Sequence, residues 1–253
     1  METLFIGQQR FDAAVSPSTN SWALNALRDQ KVQEGALFTA LEQTSGRGQR
    51  GNSWESSPGQ NLTISIVLHP TWLKPTEQFY LSQLISLAVT ATVAAFLPPE
   101  LEPEIRIKWP NDIFFGNKKI GGILIENIIR DEEIAAAVAG IGLNVNQMVF
   151  ENAPNALSLQ QITGNSVNIE TCLSTLCEQI EWRYLKLKTG KIKELKEKYL
   201  EKLLGLDNLR TYRINEEDVT AILRGVTDSG LLILELPDGR KRTFDLKELK
   251  FVF

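Results

Sequence analysis

Short runs rich in Ile, Val, Leu and Phe alternate along this chain with longer segments whose apolar residues recur every three or four positions. The short runs, at 37–41, 61–69, 105–109, 112–115, 122–129 and 134–141, read as strands. An earlier one, through Phe5-Ile6-Gly7 and Phe11, leads to Ser16-Pro17-Ser18-Thr19-Asn20. Asn117-Lys118 and Arg130-Asp131-Glu132-Glu133 fall between consecutive runs as polar turns. Connections this short favour antiparallel pairing, because a parallel pair needs a crossover of about a dozen residues or more. Gly140-x-Gly142 ends a strand without a full Gly-x-Gly-x-x-Gly fingerprint and without a helix opening behind it, which disfavours a dinucleotide-binding fold.

The helical segments begin near Trp22, where Ser18 or Thr19 is placed to cap a helix running to Arg28. The longest covers 77–96, with Thr76 as N-cap, Leu81, Leu84, Ala88, Ala91 and Ala95 on one face, and Pro98-Pro99 as the stop. Two more follow at 169–188 and 192–204, the first with a stripe of Leu173, Leu176, Ile180, Tyr184 and Leu187. After Gly205 the pattern changes to short strands at 219–223, 231–236, 243–246 and 249–253, separated by Asp228-Ser229-Gly230 and Pro237-Asp238-Gly239 turns. The pattern predicts an α/β (α+β) unit over 1–204, built on a mixed, largely antiparallel sheet with flanking helices, and a small all-β module over 205–253. No repeat or low-complexity segment interrupts it.

Two stretches carry candidate chemistry. The run Thr44-Ser45-Gly46-Arg47-Gly48-Gln49-Arg50-Gly51-Asn52-Ser53-Trp54 combines backbone freedom with two guanidinium groups. Such a loop suits a phosphate or carboxylate on a ligand with an aromatic part, such as a nucleotide. An exposed turn with solubilising arginines is the plainer reading. The second stretch is Lys108-Trp109-Pro110-Asn111-Asp112, followed by Lys119-Ile120-Gly121-Gly122-Ile123-Leu124-Ile125-Glu126. A strand delivers Lys108 on ordered backbone beside a Gly-Gly approach, which fits an electrostatic clamp for a transferring phosphoryl group. An edge-strand lysine beside Asn-Asp turn residues reads the same way in sequence.

Composition narrows these options. Apolar residues make up 43% of the 253 residues and charged ones 23%, ordinary for a globular domain. Lys and Arg number 27 against 31 Asp and Glu, a net charge of −4, which argues against a nucleic-acid binder. His69 is the one histidine, so a His/Cys zinc site or an imidazole triad is nearly unavailable. Cys172 and Cys177 belong to no metal-ligand motif and read as small buried hydrophobes of a reducing compartment. The N-terminus shows no signal peptide, and 79–97 contains Ser82, Gln83, Ser86, Thr90 and Thr92, too polar for a membrane span. A cytoplasmic protein with no membrane and no DNA partner is expected.

Four patterns in order resemble the biotin protein ligase family across residues 1 to 250: Ser18-Thr19-Asn20; Gln43 with the Gly46-to-Trp54 loop; Lys108-Trp109-Pro110-Asn111-Asp112 with Gly121-Gly122-Ile123-Leu124; and Gly140-Ile141-Gly142-Leu143-Asn144-Val145. The resemblance implies the catalytic fold shared with class II aminoacyl-tRNA synthetases, closed by a C-terminal SH3-like β-barrel. It implies that biotin and ATP form biotinyl-5′-AMP and pyrophosphate, and that biotin then passes to a lysine of a biotin carboxyl carrier protein. Lys108 and Arg47 take the catalytic positions in that likeness. Ser18, Thr19, Asn20, Gln43, Gly46, Gly121, Gly122 and Gly142 join them at biotin. Gln49, Arg50, Trp54, Asn111 and Asn144 fall at the nucleotide and adenylate. Mg²⁺ follows from ATP, with no legible ligands: Asp112 and Glu126 read equally well as a turn aspartate and a strand-edge glutamate. Relatives pair through the central sheet, so a homodimer is expected.

Two departures stand out. The family's loop often has arginine where this chain has Gln49, a position tied to adenylate retention, and Arg50 is the neighbour able to substitute. Some members begin with a DNA-binding helix-turn-helix; here Ser18-Thr19-Asn20 arrives within twenty residues, so that domain is expected to be absent. A lipoate-type ligase of the same fold is the enzymatic alternative, disfavoured by Trp54 and Lys108-Trp109-Pro110. A non-enzymatic binding module is the other, disfavoured by the presence of Lys108 and Arg47.

Overall fold

The segment Leu62–Leu68 is buried at every position, so it must be covered on both faces. That requirement organises the molecule. The computed structural model describes residues 2–29 and 32–252, and of Arg50 the backbone alone. A seven-stranded sheet runs in the order β1-β2-β3-β7-β6-β5-β4. Its strands are β1 (Arg10–Ser16), β2 (Leu37–Gln43), β3 (Leu62–Leu68), β4 (Ile105–Lys108), β5 (Asp112–Phe115), β6 (Lys118–Arg130) and β7 (Glu133–Leu143). All pairs are antiparallel except β1 with β2. The exception has a cause: helix α1 (Thr19–Arg28) lies between these two strands and supplies the crossover that parallel pairing needs. Residues Phe5-Ile6-Gly7, expected to open the first strand, form a turn in which Gly7 has φ 78°; the strand starts at Arg10.

Helix α2 (Phe79–Ala95) covers one face of the sheet and is apolar nearly all round, as a fully enclosed helix must be. A 3₁₀ turn, Pro75–Glu77, precedes it, so the helix proper begins later than Thr76 suggests. By length and composition Pro75–Ala95 is long and apolar enough to cross a membrane, but most of it is buried inside the fold. A short helix α3 (Leu159–Thr163) leads to α4 (Ile169–Lys188) and α5 (Ile192–Lys202), which pack on α2. Glu181, buried on α4, accepts the N–H groups of Leu4, Phe5 and Ile6 and pins the N-terminal segment there. Cys172 and Cys177 are free and buried, and burial pushes both thiols up to about 12.

The C-terminal module is a five-stranded antiparallel sheet, order β11-β10-β9-β8-β12. It comprises β8 (Leu209–Ile214), β9 (Glu217–Val226), β10 (Leu232–Glu235), β11 (Lys241–Phe244) and β12 (Leu249–Phe251). This corrects the expected SH3-like barrel: among the described residues the sheet is open. Closure needs its two edges to pair, but β11 bonds only to β10 and β12 only to β8. The edges are four and three residues long, and no ladder joins them to each other among the described residues. Phe253, at the end of the expected last strand, lies outside the described residues.

Candidate active site

Ser18 has extended backbone and its Oγ accepts the N–H of Ser21, capping α1. The cap fixes the next two residues, which are buried. Gln43, at the end of β2, accepts the backbone N–H of Thr19 at 2.9 Å and its hydroxyl at 3.2 Å through one oxygen, Oε1. Asn20 Nδ2 donates to Leu124 O at 3.1 Å and to Glu126 Oε2 at 2.8 Å, while Asn20 Oδ1 accepts from Ser65 Oγ at 2.6 Å. Ser65 also lies 2.7 Å from Thr19 Oγ1. Asn20 stands directly over Gly140, where any Cβ would collide with its carboxamide. The start of α1 is therefore locked to strands β2, β3 and β6 by hydrogen bonds, and packed on β7 at Gly140, with its polar edge left at the rim of a cavity.

The glycine–arginine loop folds back on itself. Arg47 and Ser53 form an isolated antiparallel bridge, Trp54 N–H donates to Gly46 O at 2.9 Å, and Gly48 N–H donates to Asn52 O at 2.6 Å. Gly46 is required by packing: a Cβ there would meet Trp54 O at 2.6 Å. Arg47 Nη2 donates to Glu126 Oε2 at 2.6 Å. The Trp54 indole lies on the sheet. A Cβ at Gly142 would run into the ring, and one at Gly122 would stand 3.2 Å from it. Trp54 Nε1 and Gln49 Oε1 are buried without a hydrogen-bond partner among the described residues. The Arg50 side chain lies outside the described residues.

Lys108 leaves the end of β4 before a cis Trp109-Pro110 bond. Its ammonium faces the rings of Phe114 at 5.4 Å and Phe251 at 5.5 Å. Burial lowers the Lys108 pKa, Lys119 lowers it further, and Asp112 at 3.9 Å opposes them. Asp112 is itself held more tightly by Lys119, at 2.6 Å. Asn111 is clipped to Ile123: its Nδ2 donates to Ile123 O at 2.6 Å, and its carbonyl accepts the Ile123 N–H at 3.0 Å.

These groups surround one cavity of about 300 Å³. Ser18, Thr19, Asn20 and Gln43 form one wall, Arg47, Gln49 and Trp54 another, and Lys108, Asn111, Gly122 and Gly142 complete it. Gly46, Gly121 and Asn144 do not line it. Gly121 points through the sheet, where a Cβ would meet Gly142 O, Leu143 and Ile113. Asn144 is buried beyond the strand end, with Nδ2 on Leu157 O at 3.1 Å and Oδ1 unpartnered among the described residues. Sequence reasoning missed Lys119 and the whole C-terminal wall of Leu246, Leu249, Lys250 and Phe251, and Ser65, which lies behind the wall and holds Asn20 and Thr19. It named Gly140 only within a motif. No local signal marks the C-terminal residues, because only the packing of the second sheet brings them to the cavity. Lys119 had one, its place just before Gly121-Gly122.

A family model, the biotin/lipoate A/B protein ligase family, matches residues 13–144. The bifunctional ligase/repressor BirA of Bacillus subtilis is 30% identical over 250 residues, 96% of this chain and 74% of that protein. The biotin--[acetyl-CoA-carboxylase] ligase of Paracoccus denitrificans is 29% identical over 90% of this chain and 95% of its own length. Among solved structures, biotin protein ligase from Aquifex aeolicus in complex with biotin and ATP shares the fold with a TM-score of 0.78 and 26% identity, over 97% of this chain and 99% of that one. With the family model matching residues 13–144 and relatives matched along nearly the whole chain, the chain belongs to the biotin/lipoate A/B protein ligase family, and within it to the ATP-dependent biotin protein ligases.

Proposed function

We propose that Lys108 and Arg47 supply the positive charge on which both half-reactions depend. In the first, a biotin carboxylate oxygen bonds to the α-phosphorus of ATP while the bond to the pyrophosphate oxygen breaks. Two anions meet in this step, and a fixed cation in a partly desolvated site stabilises the charge they concentrate. The observation that carries this reading is the half-buried Lys108 ammonium sharing one cavity with the loop arginine. In the second half-reaction the neutral amine of an acceptor lysine attacks the acyl carbon. The bond from that carbon to the AMP oxygen breaks, and the nitrogen releases its proton. The acceptor is a biotin carboxyl carrier protein or domain.

Ser18, Thr19, Asn20 and Gln43 present the fixed polar edge that a ureido ring needs in an apolar slot. Gly122 and Gly142 keep that slot thin enough for Trp54 to close on it. Gly46 and Gly121 act through close packing around it, and Asn144 through its side-chain hydrogen bond to Leu157 O. Gln49, Arg50, Trp54 and Asn111 serve the nucleotide. The unit 1–204 is the catalytic domain, and 205–253 contributes a wall.

The acidic side chains near the cavity do not form a metal cage. Asp112 is taken by Lys119 at 2.6 Å and Glu126 by Arg47 at 2.6 Å, and no cluster of three His, Cys, Asp or Glu groups occurs among the described residues. Magnesium would be carried in with the nucleotide as part of the substrate, where it would neutralise charge on the leaving pyrophosphate.

The test incubates the protein with ATP and either biotin or lipoate, and follows the adenylate by mass before and after adding a carrier domain. Biotinyl-AMP, then a carrier heavier by one biotinyl group, is expected. Preferential formation of lipoyl-AMP would overturn the substrate assignment.

A further inference from the structure

A second cavity, of about 280 Å³, lies between α2, α4 and α5, and shares no lining residue with the first. Its floor is apolar: Leu87, Leu187 and Leu195 are buried there. The Thr90 hydroxyl, also on the floor, is already spent on Leu87 O at 3.0 Å. Around the rim, three lysines are neutralised by carboxylates, Lys186 by Glu194, Lys198 by Glu201 and Lys202 by Glu102, at 2.8, 2.9 and 3.0 Å. Arg183 and Lys191 also line the cavity, and neither has an ion pair among the described residues. The cavity thus holds more positive than negative charge over a hydrocarbon floor.

Arg183 is the informative residue. Its Nη1 donates to Gln179 O at 3.0 Å and to Gln179 Oε1 at 2.5 Å, both neutral acceptors on its own helix. Burial brings its pKa down to about 10, and no carboxylate opposes the shift. A guanidinium taken partly out of water without an anion is a costly arrangement. Beside it Trp182 leaves half its surface to solvent, with the Arg183 guanidinium 5.0 Å and the Lys186 ammonium 4.0 Å from its ring.

We propose that this cavity binds a small amphipathic carboxylate, with its apolar body on Leu87, Leu187 and Leu195 and its carboxylate on Arg183. Carboxylate suits the planar fork of a single guanidinium. The apolar floor excludes a bare inorganic anion as the preferred ligand. The volume, just under the range of about 300–1,000 Å³ for drug-sized ligands, matches a short acyl or aryl chain.

The test measures binding of octanoate, octanol and inorganic phosphate to the full chain by calorimetry, with biotin and ATP present and absent. Octanoate is expected to bind saturably at one site, with octanol and phosphate each at least tenfold weaker and with biotin not competing. Arg183→Gln should weaken octanoate at least tenfold and leave the rate of biotin ligation unchanged. Lys191→Gln, at the exposed start of α5, should weaken it several-fold and guards against a folding defect in the first variant. Competition by biotin would place the ligand in the other cavity. Equal affinity for octanol or phosphate, no saturable binding, or octanoate binding unaltered in both variants would each overturn the proposal.

Discussion

The two faces of the seven-stranded sheet are made by the same strands and do opposite work. On the α2 side, Leu62, Ile64, Ile66 and Leu68 of β3 join Ala137, Ala139, Ile141 and Leu143 of β7 in one aliphatic core. On the α1 side, β3 offers Thr63, Ser65 and Val67, opposite Gly142, Gly140 and Val138 of β7. Gly122, Leu124 and Glu126 of β6 continue that second face in register. Strand period puts branched hydrocarbon on one side and small or polar groups on the other. The first face provides stability. The second provides room, because Asn20 sits on Gly140 and Trp54 on Gly142. A strand that reads as plain core in sequence also anchors the binding site, because Ser65 on its second face holds Thr19 and Asn20.

The comparison predicts that chemistry and stability separate by face. Lys108→Ala should slow adenylate formation by about 3–4 kcal/mol in activation free energy, the size of losing one group that stabilises developing charge, with the melting temperature unchanged or raised. Single-turnover kinetics within tenfold of the parent would remove Lys108 from its role. The parent's pH dependence carries the same signature. Burial lowers the folded-state pKa of Lys108, so the ammonium is lost, and adenylation falls, as pH rises through a value below the ordinary lysine one. Stability moves the other way. Below that pKa the unfolded chain binds the proton more tightly, so this group's contribution to stability improves as pH rises through the window between the two values. Lys108→Ala should flatten both trends.

Ile66→Ala, on the opposite face, should cost about 3 kcal/mol of stability through lost burial and an unfilled cavity, since Ile66 is fully buried. Biotin and ATP affinities measured well below the melting transition should stay as in the parent. A large rise in KM with little change in denaturation midpoint would mean that the two faces are not independent.

Most strands and helices were legible because each is long and strongly patterned: β2 to β7, α1, α2, α4 and α5 lie close to where periodicity puts them. The misses have physical causes. β8 (Leu-Arg-Thr-Tyr-Arg-Ile) keeps only every second or third side chain inside, so its charged outward positions hide it. α3 is five residues long, too short for a helical period to register. The expected barrel failed on edge pairing, which no local pattern encodes. In the site, Gly121 and Gly122 looked equivalent, yet successive residues of a strand face opposite ways, and only Gly122 opens on the cavity. Ser65 could not be singled out in an apolar run. Its importance comes from standing opposite Gly140, a property of register.

Ser65→Ala tests that point at moderate size. Ser65 is fully buried and donates to Asn20 Oδ1 at 2.6 Å. Alanine leaves that oxygen buried with one donor fewer, which should cost about 1–3 kcal/mol. The loss should divide between stability and biotin affinity, because Asn20 also anchors Glu126 and, through it, Arg47. Unchanged biotin binding with a full loss of stability would make Ser65 ordinary core.

The smallest effect is expected at Gln49, and it is the most discriminating for the loop. Gln49 faces the cavity and its Oε1 lacks a partner among the described residues. An amide at that point supplies a hydrogen bond but no charge. Gln49→Arg adds a charge-assisted donor near an anionic adenylate, which should slow dissociation of preformed biotinyl-AMP several-fold without altering the rate of its synthesis. The new cation also sits next to Arg50, and like charges in one short loop oppose each other, which keeps the expected gain small. Comparing release rates in the parent, Gln49→Arg and Arg50→Ala separates the contributions. Slower release in Gln49→Arg together with an unchanged rate in Arg50→Ala means that the loop lacks a retaining charge and that Trp54 on its two glycines does most of the holding. Fast release confined to Arg50→Ala means instead that the retaining charge has moved one position along the chain, and Gln49 is then a spacer on the cavity wall.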